Sequence, residues 1–252
     1  MASGDVILET SDLTKEFRGF VAVAGVNLSV RRGSIHALIG PNGAGKTTCF
    51  NLLTKFLTPT RGTIAYNGHD ITSMRAADIA LLGLVRSFQI SAVFPHLTVL
   101  ENVRIALQRK RGGSFVFWRS DKVLHGLDAP ARELIEAVGL TQFAGTAAVE
   151  LSYGRKRALE IATTLALDPD MMLLDEPTSG MAVEDVDRVT DLVKHAAENR
   201  TVLMVEHNLS VVSRLADHIT VLARGQVLAE GDYDSVSRDP RVVEAYIGSG
   251  HG

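Results

Sequence analysis

The stretch Ser34-Ile-His-Ala-Leu-Ile-Gly40-Pro-Asn-Gly-Ala-Gly-Lys46-Thr47 joins an apolar run to a glycine-rich loop. The run 34–39 has the continuous apolar character of a strand that is buried in a parallel sheet. From Gly40 onward the residues satisfy the pattern G-x-x-x-x-G-K-[ST], and helix-like residues follow. The glycines let the backbone turn sharply so that amide N–H groups converge on phosphate oxygens, and the following helix directs its positive end at the same place. The stretch therefore predicts a phosphate-binding loop between a buried strand and a helix.

This loop supplies candidate ligands for a nucleotide and for a metal ion. We expect Lys46 to reach the β- and γ-phosphates and the hydroxyl of Thr47 to coordinate Mg²⁺. A glycine-rich turn without a ligand is the alternative, but every fixed position of the pattern is filled. The residues predicted here to bind the nucleotide are Asn42, Gly43, Ala44, Gly45, Lys46, Thr47 and Thr48.

A second apolar strand, predicted at 171–174, ends abruptly in the carboxylates Asp175 and Glu176. Residues at this place emerge at the carboxyl edge of a parallel sheet, where nucleotide sites of such folds lie. Successive strand side chains point to opposite sides, so the two acids should have different roles. We expect Asp175 to hold the Mg²⁺ shell and Glu176 to polarise the attacking water as the general base.

Length and composition limit the class of protein. The 252 residues suffice for one large α/β domain or for a core with a smaller lobe. A net charge of −3, with both signs interspersed, argues against a nucleic-acid partner. The single cysteine, Cys49, fits a reducing compartment without a disulfide framework. The sequence begins without a secretory signal, and no run approaches the ~18 apolar residues of a transmembrane helix, so we expect other chains to hold the protein at any membrane.

Apolar patterning divides the chain into three kinds of segment. Short strands, expected to be antiparallel, are predicted at 6–10, 20–30 and 61–66. A helical region extends from 96 to 166, with helices predicted at 101–108 and 131–138. Strands and helices then alternate, which is typical of a parallel sheet covered on both faces. These strands are predicted at 171–174, 201–205 and 218–222, and the helices at 183–197 and 208–215.

The heptapeptide Leu151-Ser-Tyr-Gly-Arg-Lys-Arg157 lies a short helix upstream of Leu173-Leu-Asp-Glu-Pro177. It resembles the signature motif of ABC ATPases, in which a Ser hydroxyl and a Gly amide of one subunit close over the nucleotide held by another. The resemblance implies that Ser152, Tyr153 and Gly154 bind the nucleotide of a second chain. Tyr153 replaces the usual Gly, and Arg replaces the usual Gln two positions later. The cations at 155–157 have the alternative interpretation of a solvated helix face.

Four further residues match family positions. His207 resembles the switch histidine that contacts the γ-phosphate. Gln89 resembles the glutamine that contacts Mg²⁺ or water and joins the core to the helical lobe. Phe17 stands where an aromatic residue stacks on adenine, with Val23 as a second contact, although an ordinary core aromatic remains the alternative for Phe17. Together with Glu176, His207 and Gln89 are the catalytic candidates, and Gln89 joins Thr47 and Asp175 as a metal candidate.

The ordered motifs span most of the chain, which therefore resembles ABC transporter ATPase subunits. The fold implied is the α/β P-loop NTPase fold of ABC ATPases, with a RecA-like core and an antiparallel β subdomain at 1–90 and 168–252 and a helical subdomain at 91–167. Three stretches narrow the resemblance to the branched-chain amino acid importer group of the LivG type. They are Leu151-Ser-Tyr-Gly154 with Leu159-Glu-Ile-Ala162, Arg86-Ser-Phe-Gln89, and the ending 239–248.

The resemblance implies that the chain works in a transporter complex. Two ATPase subunits, either two copies or two related chains, bind two ATP molecules and Mg²⁺ head to tail at the cytoplasmic face of the inner membrane. Closure of the pair drives an integral-membrane permease, which a periplasmic solute-binding protein supplies, and no nucleic acid takes part. After Ser179-Gly180, Met181-Ala182 stands where a Leu followed by an acidic residue or Asn is usual, so polar signalling between the two sites through this loop is not implied and the sites need not be equal.

Several alternatives stay open at this stage. Importers of urea, amides or aromatic acids and exporters of lipid or lipopolysaccharide share the same enzymology. A soluble ABC ATPase that remodels DNA or a ribosome fits less well, since there is one cassette, no long coiled-coil insertion and no basic excess. The basic and aromatic residues of 108–119 form either a surface that docks the permease or lies near lipid headgroups, or a loop that packs under its own lobe.

Overall fold

The computed structural model describes residues 6–87, 93–110 and 126–248, and within them the chain forms two β-sheets and a group of helices. The strands are β1 (Val6–Phe17), β2 (Phe20–Val26), β3 (Ser29–Arg31), β4 (Ile35–Ile39), β5 (Arg61–Tyr66), β6 (His69–Asp70), β7 (Leu84–Ser87), β8 (Met171–Asp175), β9 (Thr201–Val205), β10 (His218–Ala223) and β11 (Gln226–Gly231). The helices are α1 (Lys46–Leu53), α2 (Ala76–Leu81), α3 (Val99–Lys110), α4 (Asp128–Ala137), α5 (Tyr153–Leu165), α6 (Val183–Ala196), α7 (Leu209–Leu215), α8 (Tyr233–Arg238) and α9 (Pro240–Gly248).

The central sheet has the strand order β11-β10-β4-β9-β8-β7, and all its pairs are parallel except β10 with β11. Its inner strands are buried on both faces, which is why they read as unbroken apolar runs. Alternate residues of β8 enter different cores. Met172 and Leu174 pack with α5, α6 and α7, whereas Met171 and Leu173 pack with α1 and the second sheet.

The second sheet is antiparallel, with the order β2-β1-β5-β6 and β3 also on β1. The single strand predicted at 20–30 is wrong in one respect, because the chain breaks between β2 and β3. The hydroxyl of Thr10 lies at this break, where it donates to the carbonyl of Val26 at 2.9 Å and accepts from the N–H of Leu28 at 2.9 Å. Since β1 is longer than predicted, it pairs with both pieces in turn.

Helices α3, α4 and α5 pack against one another. In the sequence they lie between strands β7 and β8 of the central sheet. Helix α3 begins with a capping box, in which the N–H of Thr98 donates to Glu101 at 2.7 Å and the N–H of Glu101 donates back to the Thr98 hydroxyl at 3.2 Å. Gly139 follows α4 with a φ of 68°, as a C-terminal glycine should. The helices predicted at 101–108 and 131–138 are confirmed, with shifted ends.

The predicted alternation of strands and helices after residue 168 is confirmed, in the order β8, α6, β9, α7 and β10. Strands β8 and β10 each extend one residue further than predicted, and β9 has the predicted bounds. In the described part of the chain, no helix is both long enough and apolar enough to cross a bilayer. Helix α3 reaches Lys110, and the remainder of the basic-aromatic segment 108–119 lies outside the described residues.

Candidate nucleotide site

The candidate site lies at the carboxyl ends of three neighbouring parallel strands. Strand β9 pairs with β4 on one side and with β8 on the other. The glycine-rich loop follows β4, Asp175 ends β8, and His207 comes two residues after β9. The sheet order thus brings together residues that are far apart in sequence, at the edge where α/β proteins bind their ligands.

Close backbone approaches explain two glycines of the loop. A Cβ on Gly40 would lie 2.1 Å from the carbonyl oxygen of Leu222, and one on Gly45 would lie 2.6 Å from that of Ala22. Both glycines also have positive φ, at 148° and 96°. Gly45 is the N-cap of α1 and has no side chain with which to cap the helix, so the amide groups of the first turn remain for a ligand. This cradle fits a phosphate chain.

Lys46 turns back over the loop. Its Nζ donates to the carbonyl oxygens of Gly40 and Pro41 at 2.6 and 3.0 Å. Burial lowers the pKa of Lys46 from its ordinary value, and the nearby carboxylate of Glu176 partly opposes this shift. The ammonium group is therefore held at the loop, near the Glu176 carboxylate.

Asp175, at the end of β8, and Glu176, which follows it, have different surroundings. Asp175 Oδ2 accepts from Arg86 Nη2 at 2.6 Å. Glu176 has a φ of 46°, a strained value for this residue type, and its N–H donates to the carbonyl of Val205 at 2.9 Å. Its Oε2 lies 3.9 Å from Nδ1 of His207, and both side chains are solvent-accessible, at 43% and 57%. The base candidate and the switch candidate therefore face the same open space.

A magnesium ion fits the donors present. Thr47 and Asp175 offer a hydroxyl and a carboxylate, which are hard oxygen ligands of the kind that Mg²⁺ prefers. In the described ranges, no group of three or more His, Cys, Asp and Glu side chains could hold a metal. A site of few protein ligands suits Mg²⁺, which keeps several waters and binds nucleotide phosphates. The third metal candidate, Gln89, lies outside the described residues.

The adenine candidates are placed differently from each other. Phe17, at the end of β1, is 41% exposed, so it is not a core aromatic, and Lys15 Nζ lies 5.2 Å from its ring centroid. Val23 is fully buried, and one of its methyl groups lies 3.6 Å from where a Cβ on Gly45 would be. Val23 thus packs against the loop beside Gly45, whereas Phe17 offers an accessible ring face, and the contact of each with adenine stays a prediction.

The signature residues lie on a different element. Helix α5 packs on α3, α4 and α6, whereas α1 packs on β2 and β9. Ser152 is the N-cap of α5 and is exposed, as is Tyr153, whose hydroxyl accepts from Arg157 Nη2 at 2.8 Å. Arg155 lies 4.1 Å over the ring of Phe143. The interpretation of 155–157 as a solvated face is therefore wrong for both arginines. Arg155 contacts Phe143 outside the helix, whereas Arg157 is largely buried and bonds to Tyr153 and Glu160 of α5 itself.

Gly154 is buried at the second position of α5. A Cβ there would lie 2.6 to 2.8 Å from the carboxylate atoms of Asp185 on α6. The sequence did not predict three residues near the site: Asp185, Glu206, and Arg86 as the partner of Asp175. Each lies there because of contacts between distant elements, which the sequence pattern does not reveal.

Comparisons with known proteins agree with this geometry. Residues 23–179 match the family model described as ABC transporter, and residues 226–252 match that described as branched-chain amino acid ATP-binding cassette transporter. The chain is 39% identical to the high-affinity branched-chain amino acid transport ATP-binding protein BraF of Pseudomonas aeruginosa, over 96% of this chain and 98% of that protein. It is 36% identical to LivG, of the same description, from Salmonella typhimurium, with the same coverage.

A solved structure shares the fold. It is the ADP conformation of an ATP-binding cassette of an ABC transporter, with a TM-score of 0.83 and 32% identity over 96% of this chain and 99% of that one. The predicted α/β ABC ATPase fold is thus confirmed, and the described architecture of two sheets and packed helices is that of a nucleotide-binding cassette. The chain belongs to the ABC transporter family, in the group of branched-chain amino acid transport ATP-binding proteins, and is an ATPase of this family.

Proposed function

We propose that this chain is the ATP-hydrolysing subunit of an importer that takes up branched-chain or related amino acids through a membrane permease. The observation that carries the ATPase part is the convergence of the loop 40–47, Asp175, Glu176 and His207 at the ends of β4, β8 and β9. Similarity over nearly the whole chain to BraF and LivG supports the substrate class.

In this proposal the loop binds the phosphates of ATP. Backbone amides of the loop 42–48 would bind the phosphate oxygens, and Lys46 would leave its carbonyl partners to contact the β- and γ-phosphates. Phe17 stacks on adenine through the exposed face of its ring. Thr47, Asp175 and Gln89 would hold Mg²⁺, which neutralises the charge that develops on the phosphates.

Glu176 is the proposed general base. Its carboxylate is accessible to water and lies near the Lys46 ammonium. A carboxylate can accept a proton from water as the water attacks the γ-phosphate. We propose that His207, 3.9 Å from Glu176 Oε2, contacts the γ-phosphate from the neighbouring turn.

The site would be completed by a second chain. Ser152 and Tyr153 are exposed at the N-terminus of α5, a helix that packs mainly on α3, α4 and α6, whereas the loop helix α1 packs mainly on β2 and β9. We propose that these residues and the Gly154 amide bind the nucleotide of a partner ATPase, a related chain or a second copy, in a head-to-tail pair. ATP then closes the pair, and hydrolysis reopens it because the γ-phosphate contacts both chains.

The proposed location is the cytoplasmic face of the inner membrane, where the chain attaches to permease subunits that a periplasmic solute-binding protein serves. The proposed division is a core with an antiparallel β subdomain, 1–90 and 168–252, and a helical subdomain, 91–167. It agrees with the packing of α3, α4 and α5 together in the described part of the chain.

The test is transport by the assembled complex. The chain is purified with its permease, reconstituted in liposomes with the solute-binding protein, and supplied with ATP on the side of the ATPase. We expect uptake of labelled leucine that stops in the Lys46→Ala complex. Uptake of urea, an amide or an aromatic acid instead would assign a related importer, and ATP-driven lipid extraction would assign an exporter. If the chain hydrolysed ATP but no integral-membrane permease co-purified with it, the transporter assignment would be overturned.

A further inference from the structure

Glu206 is an acidic side chain without any exposed surface, and it has no assigned role in the site above. It lies between Val205, the last residue of β9, and His207. A buried carboxylate is costly unless hydrogen bonds satisfy it, so its partners indicate why it is there. All of the partners recorded for it are donors from two turns of the candidate site.

One carboxylate oxygen of Glu206 binds the turn that follows Glu176. Oε1 accepts from the N–H of Thr178 at 3.0 Å and from its hydroxyl at 2.6 Å. Thr178 is itself buried, so water does not compete for these bonds. The turn that carries the proposed base is thus fixed two residues beyond the base itself.

The other oxygen binds the turn that carries His207. Oε2 accepts from the N–H of His207 at 3.0 Å and from the N–H of Asn208 at 3.1 Å. Strands β8 and β9 stop pairing at Asp175 and Val205, so the Glu206 carboxylate continues the connection between the two strands where the ladder ends.

We infer, given the roles proposed for Glu176 and His207, that Glu206 is a positioning residue whose carboxylate sets the distance between the general base and the switch histidine. Glu176 has a φ of 46°, and a strained conformation of this kind persists only where its surroundings fix it. The Glu176 N–H bond to Val205 fixes one side of the turn, and the bonds from Thr178 to Glu206 fix the other.

A carboxylate is the side chain that matches this place. It has two acceptor oxygens and no hydrogen, and here each oxygen meets two donors. Glutamine has the same shape but only one oxygen. If its NH₂ group faces His207 and Asn208, it meets two backbone N–H donors. If it faces Thr178, the hydroxyl can turn to accept from it, but the Thr178 N–H loses its acceptor. In either orientation one of the two turns is held less firmly.

The test is Glu206→Gln in the assembled transporter complex. We expect kcat for ATP hydrolysis to fall roughly 10- to 100-fold, because displacement of a reacting group by about 1 Å has an effect of this size. The KM for ATP should change less than about twofold, since the loop 40–47 is untouched. Hydrogen exchange of peptides covering 176–180 and 205–209 should become faster in the variant, with or without nucleotide.

The matched control is Thr10→Val, which removes a buried hydroxyl with two hydrogen bonds in the antiparallel sheet, away from the site. It should lower the melting temperature and leave kcat unchanged, which separates loss of stability from loss of positioning. If Glu206→Gln fails to fold, Thr178→Val removes only the hydroxyl donor and should show the same drop in kcat to a smaller extent.

Two outcomes would overturn the inference. One is a Glu206→Gln complex with wild-type kcat and slow exchange in both turns. The other is a variant in which only the melting temperature falls, as in Thr10→Val. A wild-type complex that hydrolyses no ATP would instead contradict the proposed function, so the two failures are distinguishable.

Discussion

The guanidinium of Arg86 donates from Nη2 to Oδ2 of Asp175 at 2.6 Å, across the pair of strands β7 and β8. Both side chains are largely buried, with 7% and 15% exposure. Nη1 of Arg86 donates in addition to Asn51 and Thr54 of the α1 region, at 2.9 and 3.0 Å. Arg86 thus fixes Asp175, the proposed metal ligand, relative to strand β7 and to helix α1 of the phosphate loop.

We predict that Arg86→Lys destabilises the protein by about 1–2 kcal/mol, because an ammonium group cannot reproduce three hydrogen bonds from one planar fork. The free energy of unfolding in urea measures this effect. The apparent affinity for Mg²⁺ in the ATPase assay should also fall, because Asp175 loses its fixed orientation.

Arg75→Lys is the matched control for this substitution. Arg75 pairs with Asp78 at 2.8 Å on an exposed surface, where 82% of the arginine side chain is accessible. Such a pair contributes little in water, so this variant should unfold at the wild-type urea concentration. Equal behaviour of the two variants would show that the bonds of Arg86 do not matter for stability.

The Arg86–Asp175 pair also shows where sequence reasoning reaches its limit. The apolar runs before the loop and before Asp175 are local patterns, so they predict the strands and the acids correctly. The partner of Asp175 lies 89 residues earlier, on a strand that is adjacent only because of the sheet order. The same holds for Glu206 and for Asp185, whose burial and neighbours arise from tertiary packing. The break in the strand predicted at 20–30 depends likewise on a hydroxyl of β1.

A pH dependence follows from the buried ring of His36 on β4. The hydroxyl of Thr220 donates to Glu230 at 2.7 Å, so Nε2 of His36 donates to the same hydroxyl at 2.8 Å. Burial, and secondarily the neighbouring His218, lowers the pKa of His36 to about 3. Between the ordinary pKa near 6.5 and this value, the unfolded chain binds a proton that the native protein does not. The free energy of unfolding should therefore fall as the pH falls through this window.

The variant His36→Gln tests this contribution. Its free energy of unfolding should depend less steeply on pH between about 6.5 and 3, by up to one proton in the linkage slope. Thr10→Val, which changes no titratable group, should keep the wild-type slope. An unchanged slope in His36→Gln would assign the acid sensitivity to other groups.

We predict that Glu176→Gln binds ATP but hydrolyses it at least about 100-fold more slowly, because an amide cannot accept the proton from the attacking water. Nucleotide should then accumulate in a closed pair of ATPase subunits, which size-exclusion chromatography in ATP detects as a dimer. Glu198→Gln changes an exposed glutamate paired with His195 and should hydrolyse ATP at the wild-type rate. Hydrolysis by Glu176→Gln at the wild-type rate would refute the role of this residue as the base.

We predict that Gly154 and Asp185 are energetically coupled. Alanine is a better helix former than glycine by about 0.5–1 kcal/mol, so helix propensity, taken by itself, favours Gly154→Ala in α5. The new methyl group would, however, lie within 2.8 Å of the Asp185 carboxylate, which must move. We therefore expect Gly154→Ala to give no gain in the wild-type background and a gain in the Asp185→Ala background, with a coupling of about 0.5–1.5 kcal/mol in the double-mutant cycle. Glu184→Ala, an exposed neighbour in the same turn, should show no coupling. Additive effects of Gly154→Ala and Asp185→Ala would mean that the carboxylate does not restrict this position, and the requirement for glycine would then come from the nucleotide side alone.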